Sequence, residues 1–316
     1  MTLVQVRRMA ELNVTTRSNS LAGLLFGAGA IVLWSLSASV VRVGSEALGP
    51  WQFLAGSCLL GGCYQMVFRR TCDGHFRNAV GLPARLWLLT IFGFVLYGIA
   101  YPLAVALAAS REQACGVNLV NYLWPTLTVV LGVLLVPGTN FSGLLAVALA
   151  CVLAGTVLAN REGAGALFTT ERMSFAALLP YLLALLAAIL WSGYSALLAR
   201  WRDWAGRYNT SGMGLLGVGL IAGVVCLFHD ADAGPIGFRG IGVLVLAGLG
   251  PWGNGYLLWE LALSRANVKT LGLMAAVTPI LSTLWLCLFL WFVPGWDLIA
   301  GAVLVTAAVF LSLRSQ

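Results

Sequence analysis

Long apolar stretches alternate along this chain with short polar connections. A helix needs about 20 apolar residues to cross the hydrocarbon core of a bilayer. Ten stretches satisfy that requirement, and we predict that each forms one transmembrane helix, numbered here as spans 1 to 10: 21–41, 51–68, 86–109, 114–136, 141–160, 174–199, 210–228, 238–263, 269–292 and 297–313. The pattern predicts an all-α polytopic membrane protein.

Span 4 and span 9 have the same skeleton. Each lies in a segment that opens with Ser-Arg and closes with Pro-Gly, and these segments are Ser110 to Gly138 and Ser264 to Gly295. Pro125 follows the first arginine by the same number of residues that separates Pro279 from the second. We interpret the two prolines as hinges, because proline removes one helical hydrogen bond.

A second motif pair extends the repeat to whole halves of the chain. Span 1 carries Trp34-Ser35 and span 6 carries Trp191-Ser192, at nearly the same separation as the two prolines. Because each half has an odd number of spans, the second half enters the membrane from the opposite side. Inverted repeats of this kind are typical of secondary transporters, which bind substrate where the halves meet. The alternative is a duplication without transport.

The repeat and the distribution of charge divide the chain into four parts. They are a cytoplasmic N-terminal tail (1–20), a first five-helix repeat (21–160), a periplasmic linker (161–173) and a second five-helix repeat (174–316). With both termini in the cytoplasm, most Arg and Lys residues fall on the cytoplasmic side, as the positive-inside rule requires. This topology also accounts for the net charge of +7 without a nucleic-acid partner.

Composition excludes other classes of protein. The chain is 60% hydrophobic and 9% charged, whereas about a quarter of the residues in a soluble globular domain are charged. The seven cysteines lie mostly in apolar spans without metal-binding spacing. No motif of an intramembrane protease or metal enzyme is present. We therefore expect neither enzymatic activity nor a cofactor or metal.

Span 4 contains the most polar candidate site. Asn118, Asn121, Tyr122 and Pro125 recur at helical spacing and are predicted to share one face. An amide facing lipid is costly, so this face should point inward and line a cavity. The alternative is that the amides join helices by hydrogen bonds. We favour that second role for a similar stripe in span 9, formed by Met274, Thr278, Ser282 and Trp285.

Several aromatic residues lie deeper in the spans than the usual interfacial belt. They are Tyr97, Tyr101, Trp124, Trp191, Trp252 and Tyr256. Buried aromatic residues commonly serve only to pack helices together, and this alternative holds for each one singly. Taken together, they predict an aromatic-lined cavity that holds a planar or cationic substrate.

Glu260 is the acidic residue that falls clearly inside a predicted span, about one turn from its cytoplasmic end. An intramembrane carboxylate is a candidate proton carrier or cation site. Alternatively, it pairs with Arg265 or another arginine at the inner interface. We keep it as a possible coupling residue.

These features resemble a known family. The two five-helix halves, the Trp-Ser pairs and the prolines of spans 4 and 9 resemble the drug/metabolite transporter superfamily of EamA type. Asn-Tyr-Leu-Trp-Pro at 121–125, preceded by Asn118, resembles more narrowly the YddG-type exporters of aromatic amino acids, which also move methyl viologen. The resemblance implies a multi-pass exporter of the bacterial inner membrane with a central cavity.

We therefore expect an alternating-access exporter of aromatic and other apolar amino acids, either facilitative or weakly coupled to protons. Its expected partners are the small-molecule substrate, with methyl viologen as a further candidate, and the lipid bilayer, and it is expected to be a monomer. One alternative is a proton-coupled exporter of aromatic cations or drugs that uses Glu260. The alternative from another class is a membrane scaffold or sensor that does not transport.

Overall fold

The computed structural model describes residues 20–73, 81–109, 113, 117, 120–159, 175–229, 237–290 and 295–314. Asn118 and the predicted linker 161–173 lie outside these residues. Within the described ranges all regular secondary structure is helical, which agrees with the predicted all-α class.

Each predicted span contains helix in its described part. In chain order the helices are α1 (Leu21–Ser35), α2 (Ser37–Leu48), α3 (Pro50–Asp73), α4 (Ala84–Leu89), π1 (Thr90–Val95), α5 (Leu96–Ala106), α6 (Trp124–Leu135), α7 (Gly143–Ala159), α8 (Phe175–Arg200), α9 (Arg202–Ala205), α10 (Thr210–His229), α11 (Phe238–Ala247), π2 (Gly248–Gly255), α12 (Tyr256–Leu263), α13 (Val268–Ala275), α14 (Thr278–Leu290) and α15 (Trp296–Arg314). Spans 1, 3, 8 and 9 are thus each built from more than one element.

Among the described residues, five helical stretches are long and apolar enough to cross a membrane: Leu21–Leu48, Ala84–Val105, Ala177–Arg200, Thr210–Phe228 and Phe238–Leu263. Four further apolar helices are shorter: Trp124–Leu135, Gly143–Leu158, Val268–Ser282 and Ile299–Ala308. Large apolar side chains are exposed on these helices, for example Leu220, Leu227 and Val303. The helices are suited to lipid, and the count of ten crossings stays a prediction.

The helices pack as two halves related by an internal twofold. Spans at the same position in the two halves contact each other directly: α3 packs on α10, α6 on α13, and α7 on α15. The contact of α1 with α12 has its counterpart in the contact of α8 with α5. Every predicted span thus contributes to a contact between the halves.

Departures from regular α-helix also recur at equivalent places. Span 3 contains π1 and span 8 contains π2. In span 4 a turn at Tyr122 and Leu123 interrupts the helix just before Pro125, and in span 9 a turn at Ala276 and Val277 does so just before Pro279. Proline lacks the N–H that continues the ladder and its ring crowds the preceding turn, so both breaks follow from the sequence.

The break in span 4 modifies the predicted polar face. Asn121 precedes the turn and Pro125 follows it at the start of α6. The regular spacing of one continuous helix therefore does not hold across this segment. Asn121 and Trp124 are both buried, while Tyr122 is half-buried in the turn itself.

Connections predicted to lie on the same side of the membrane contact each other. The Arg200 guanidinium at the end of α8 donates a hydrogen bond to the carbonyl of Leu135 at the end of α6. The Lys269 Nζ donates to the carbonyl of Asn140 at 3.3 Å. The Arg200 contact is favourable because the last carbonyls of a helix lack intrahelical donors and carry partial negative charge.

Close approach of α3 to π2 depends on glycine at Gly61. A Cβ atom added there would lie 2.8 Å from the carbonyl oxygen of Gly248 and 3.2 Å from the amide nitrogen of Gly253. Backbone cannot move aside as a flexible side chain can. Gly61→Ala is therefore expected to destabilise the fold by about 1–3 kcal/mol, the usual cost of overpacking, seen as a lower melting temperature in detergent.

Gly242→Ala is the matched control for this prediction. Gly242 lies inside α11, and a Cβ added there meets no atom within 4 Å. Alanine should be neutral or slightly stabilising, by up to about 1 kcal/mol, because it loses less backbone entropy than glycine. Equal melting temperatures for the two variants would contradict the packing argument.

Candidate functional site

Trp34 lies at the centre of a group of aromatic rings where the two halves meet. Its ring centroid is 6.0 Å from that of Trp124, 5.6 Å from Trp191, and 5.3 Å from both Tyr256 and Trp259. These separations fall in the range in which aromatic pairs attract each other. Trp34 therefore touches its own repeat counterpart, Trp191, across the internal twofold.

Ring contacts extend this group to nine residues from spans 1, 3, 4, 6 and 8. The set, called the aromatic cluster below, is Trp34, Phe94, Tyr97, Trp124, Trp191, Tyr194, Trp252, Tyr256 and Trp259. Trp191 stacks on Tyr194 at 5.3 Å with an interplanar angle of 23°. The rings pack directly against one another in this conformation.

The structure brings five of the six predicted aromatic residues into this cluster: Tyr97, Trp124, Trp191, Trp252 and Tyr256. Tyr101 lies one turn beyond Tyr97 in α5 and is half-buried. The sequence prediction did not include Trp34 or Phe94 in the site. The equivalence of the two Trp-Ser pairs was a signal that could have identified Trp34.

Hydrogen bonds at the indole edges hold the tryptophan rings in place. Trp34 Nε1 donates to the carbonyl of Pro251 at 3.1 Å, and Trp259 Nε1 donates to Ser195 Oγ at 3.0 Å. Trp252 Nε1 donates to the hydroxyl of its partner, Ser57, at 3.0 Å. A buried indole N–H needs such an acceptor. Each of these three rings is thus anchored by its N–H and also contacts other rings of the aromatic cluster.

Asn121, which lies three residues before Trp124 of the cluster, carries a buried polar atom without a hydrogen-bond partner in the described part of the chain. The side chain is only 5% exposed, and its Oδ1 has no hydrogen-bond partner among the described residues. Three residues later, the carbonyl of Trp124 accepts hydrogen bonds from Ser192 Oγ and Thr128 Oγ1, both at 2.8 Å. Buried polar atoms without a partner are rare in native proteins. Oδ1 is therefore a candidate acceptor for a ligand.

Thr278, in the equivalent region of span 9, also has a buried hydroxyl without a partner among the described residues. The equivalent position in span 4, also directly before the proline, is occupied by Trp124. The first half therefore has an aromatic ring where the second half has a hydroxyl group. Ser282 and Pro279 are buried as well.

Glu260 lies beneath the cluster in a polar network. Its Oε1 accepts hydrogen bonds from Tyr194 Oη and the backbone N–H of Ser211, both at 2.7 Å, and from the hydroxyl of Thr210. Its Oε2 faces the Arg69 guanidinium at 3.7 Å. The predicted pairing with an inner-interface arginine is present, and its partner is Arg69 instead of Arg265.

Both halves of the chain match the same protein family. A model described as the EamA-like transporter family matches residues 21–161 and 178–314, one copy for each half. The chain belongs to the EamA-like transporter family. An EamA-like transporter moves its substrate across a membrane without changing it chemically, so the aromatic cluster and its polar neighbours form a candidate substrate site and not a catalytic centre.

Individual relatives of this EamA-like transporter resemble it over most of its length. Proteins named aromatic amino acid exporter YddG are 28% identical in Ancylobacter novellus, covering 91% of this chain and 93% of the relative, and 28% identical in Salmonella typhimurium, covering 94% and 97%. A solved crystal structure of another protein matches with a TM-score of 0.79 and 25% identity, over 93% of this chain and 97% of its own.

Replacing Asn121 tests whether its amide serves a substrate. Because Oδ1 makes no hydrogen bond within the described residues, Asn121→Ala should leave the melting temperature unchanged. Loss of one ligand hydrogen bond should lower the transport of labelled phenylalanine, the class of compound named for the relatives, by about three- to tenfold.

Asn209 is the matched control, since it is a buried asparagine with partners. Its Oδ1 accepts from the N–H of Gly212 at 3.1 Å, and its Nδ2 lies 3.7 Å from Met66 Sδ. Asn209→Ala should destabilise the protein by about 1–2 kcal/mol, because it removes the cap of α10. Unchanged flux in Asn121→Ala would assign that residue to helix packing.

Proposed function

We propose that this EamA-like transporter is an alternating-access exporter of aromatic and other apolar amino acids in the bacterial inner membrane. In this proposal it is a monomer with ten spans and both termini in the cytoplasm. The observation that carries the proposal is the aromatic cluster, which both halves build together close to the unpaired Oδ1 of Asn121. The names of the relatives support the same substrate class.

Ring packing in the cluster supports an aromatic substrate. Each aromatic pair contributes about 0.5–1.5 kcal/mol beyond the burial of its area. A substrate ring that enters between Trp34 and Trp191 would exchange contacts between protein rings for contacts of the same kind. The net gain is then small, which suits a transporter that has to release what it binds.

The polar groups near the cluster suit the other end of an amino acid. Asn121 Oδ1 can accept a hydrogen bond from an ammonium group, which carries three donors. Asn118, Tyr122 and Tyr101 complete the proposed substrate site on spans 3 and 4, as expected from the sequence. Recognition would thus combine an apolar wall with a few polar contacts.

Alternating access fits the arrangement of the helices. The helix breaks before Pro125 and Pro279 lie at equivalent places in the two halves. Broken helices at the midplane and rocking of one repeat against the other are recurring features of secondary transporters. We propose the two prolines as hinges for this motion.

Facilitated export is the proposed mode of transport. Glu260 is the acidic side chain that falls clearly inside a predicted span, and it is engaged with Arg69, Tyr194, Thr210 and Ser211. Antiport of several protons per substrate would need further titratable groups along the path. The scarcity of such groups favours a uniporter.

Flux measurements on purified protein in liposomes test the function. Vesicles loaded with labelled phenylalanine or tryptophan should release either compound down its concentration gradient, without any pH gradient. Labelled threonine and methyl viologen, tested in parallel, compare a small polar amino acid and an aromatic cation. Absence of flux for all four compounds would overturn the transport proposal.

A pH gradient then tests the mode of transport. In a facilitator, a gradient of one pH unit should change the initial rate of phenylalanine release less than twofold, in wild type and in Glu260→Gln alike. A gradient-driven rate that is abolished in Glu260→Gln would show proton coupling through this carboxylate, contrary to the proposed mode.

A further inference from the structure

A small cleft opens on the predicted cytoplasmic side below the aromatic cluster. Arg202, Tyr208, Thr210, Glu260 and Ser264 are among the residues that line it. Arg202 and Tyr208 belong to the connection between spans 6 and 7, which is predicted to lie in the cytoplasm. The cleft is therefore placed where a substrate would enter from the cell interior.

Glu260 separates this cleft from the aromatic cluster. It lines the cleft on one side, and it accepts the hydroxyl of Tyr194, a member of the cluster, on the other. The Tyr194 hydroxyl also lies 2.9 Å from the hydroxyl of Thr210, which lines the cleft as well. The Glu260 carboxylate therefore borders both the cleft and the aromatic cluster.

The two oxygens of the carboxylate are bonded unequally. Oε1 accepts three hydrogen bonds, one of them from the backbone N–H of Ser211 at the start of α10. For Oε2 the contact recorded among the described residues is the Arg69 guanidinium, at 3.7 Å. Charge-assisted hydrogen bonds are usually about 2.7–2.9 Å long. Oε2 therefore has room for a closer cationic partner.

Arg69 makes a second contact besides the one with Glu260. Its Nη1 donates to the carbonyl of Gly206 at 3.3 Å, and the side chains of Arg69 and Glu260 are only 10% and 8% exposed. Arg69 comes from the first half of the chain and Glu260 from the second. The pair thus joins the halves at the inner end of the path.

Resting on the export function above, we propose that Glu260 and Arg69 form an entry subsite for zwitterionic α-amino acids. The ammonium group of the incoming amino acid binds Oε2 of Glu260, and its carboxylate binds the guanidinium of Arg69. The substrate takes the place of the ion pair, and each buried charge keeps an opposite charge beside it.

This exchange selects for substrates that carry both charges. Removing one partner of a buried ion pair is strongly destabilising, because the other charge is left uncompensated. An amine without a carboxylate would bind Glu260 and bring no carboxylate to Arg69 in exchange. A carboxylate without an amine would do the reverse. Only a zwitterion satisfies both groups at once.

Competition assays in proteoliposomes test the subsite. The efflux of labelled phenylalanine is measured against unlabelled phenylalanine, phenethylamine, which lacks the carboxylate, and 3-phenylpropionate, which lacks the amine. In the wild type, phenethylamine and 3-phenylpropionate should each inhibit about tenfold more weakly than phenylalanine, because each replaces only one member of the buried ion pair. Equal inhibition by the three compounds would overturn the proposal without any variant.

The single variants should shift this preference in opposite directions. Glu260→Gln removes the carboxylate that faces the Arg69 guanidinium, so 3-phenylpropionate should become a better inhibitor than phenethylamine. Arg69→Gln leaves Glu260 unpaired, so phenethylamine should become the better one. A pair that only stabilises the fold would lower the rate in both variants without this reversal.

The double variant Arg69→Gln/Glu260→Gln removes both charges. It should lose the preference for the zwitterion, so the three compounds inhibit within about threefold of one another, since no buried charge is left to pair. A double variant that keeps the wild-type order would overturn the proposal. If the double variant does not fold, the opposite inhibitor preferences of the two single variants test the proposal instead.

Arg207→Gln is the matched control. Arg207 is exposed on the connection between spans 6 and 7, so its replacement changes the local charge and leaves both members of the buried pair in place. This variant should keep the wild-type order of inhibitors, and a shift equal to that of the Glu260 and Arg69 variants would contradict the assignment. Absence of phenylalanine efflux in the wild type is a different result, because it would refute the export function itself.

Discussion

The contact of Trp34 with the rings of the second half is the interaction on which the rest of the site depends. In a bilayer, apolar side chains gain little by leaving lipid for a helix interface, so packing and hydrogen bonds must hold the helices together. Trp34 supplies both, since its faces touch Trp191 and Tyr256 and its N–H reaches the carbonyl of Pro251. This one side chain therefore joins the two halves at the site by both kinds of interaction.

The two halves also complete each other's backbone. Interrupted helices have carbonyls that the regular ladder does not satisfy, and lipid offers no replacement donor. Trp34 and Gln65 of the first half donate to carbonyls of π2, while Ser192 of the second half donates to the carbonyl of Trp124. Because these bonds cross the interface, any motion of one half against the other has to break or exchange them.

Local patterns in the sequence predicted most of the fold. Apolar runs predicted the helices, and Pro125 and Pro279 marked the places where spans 4 and 9 depart from regular helix, although both spans were predicted to be continuous. The π-helical segments were not predicted, since partners distant in sequence, such as Trp34, satisfy their carbonyls. Trp34 itself was used only as a marker of the repeat.

The partner of Glu260 also could not be predicted from local sequence alone. An inner-interface arginine was expected, but several arginines fit that description, and only the packing of α3 beside α10 selects Arg69. Asn121 was predicted correctly as a buried residue, while its unpaired Oδ1 could be recognised only once its surroundings were known. Sequence thus indicated the chemistry, and tertiary packing decided which groups meet.

The central claim is that an aromatic amino acid binds among the rings between the two halves. A crystal structure of the protein with 4-bromophenylalanine tests it most directly, since anomalous scattering locates the bromine without reference to a model. The account predicts a bromine peak in contact with Trp34 and Trp191, with these two rings moved apart. A peak outside the aromatic cluster, with the rings still in contact, would contradict it.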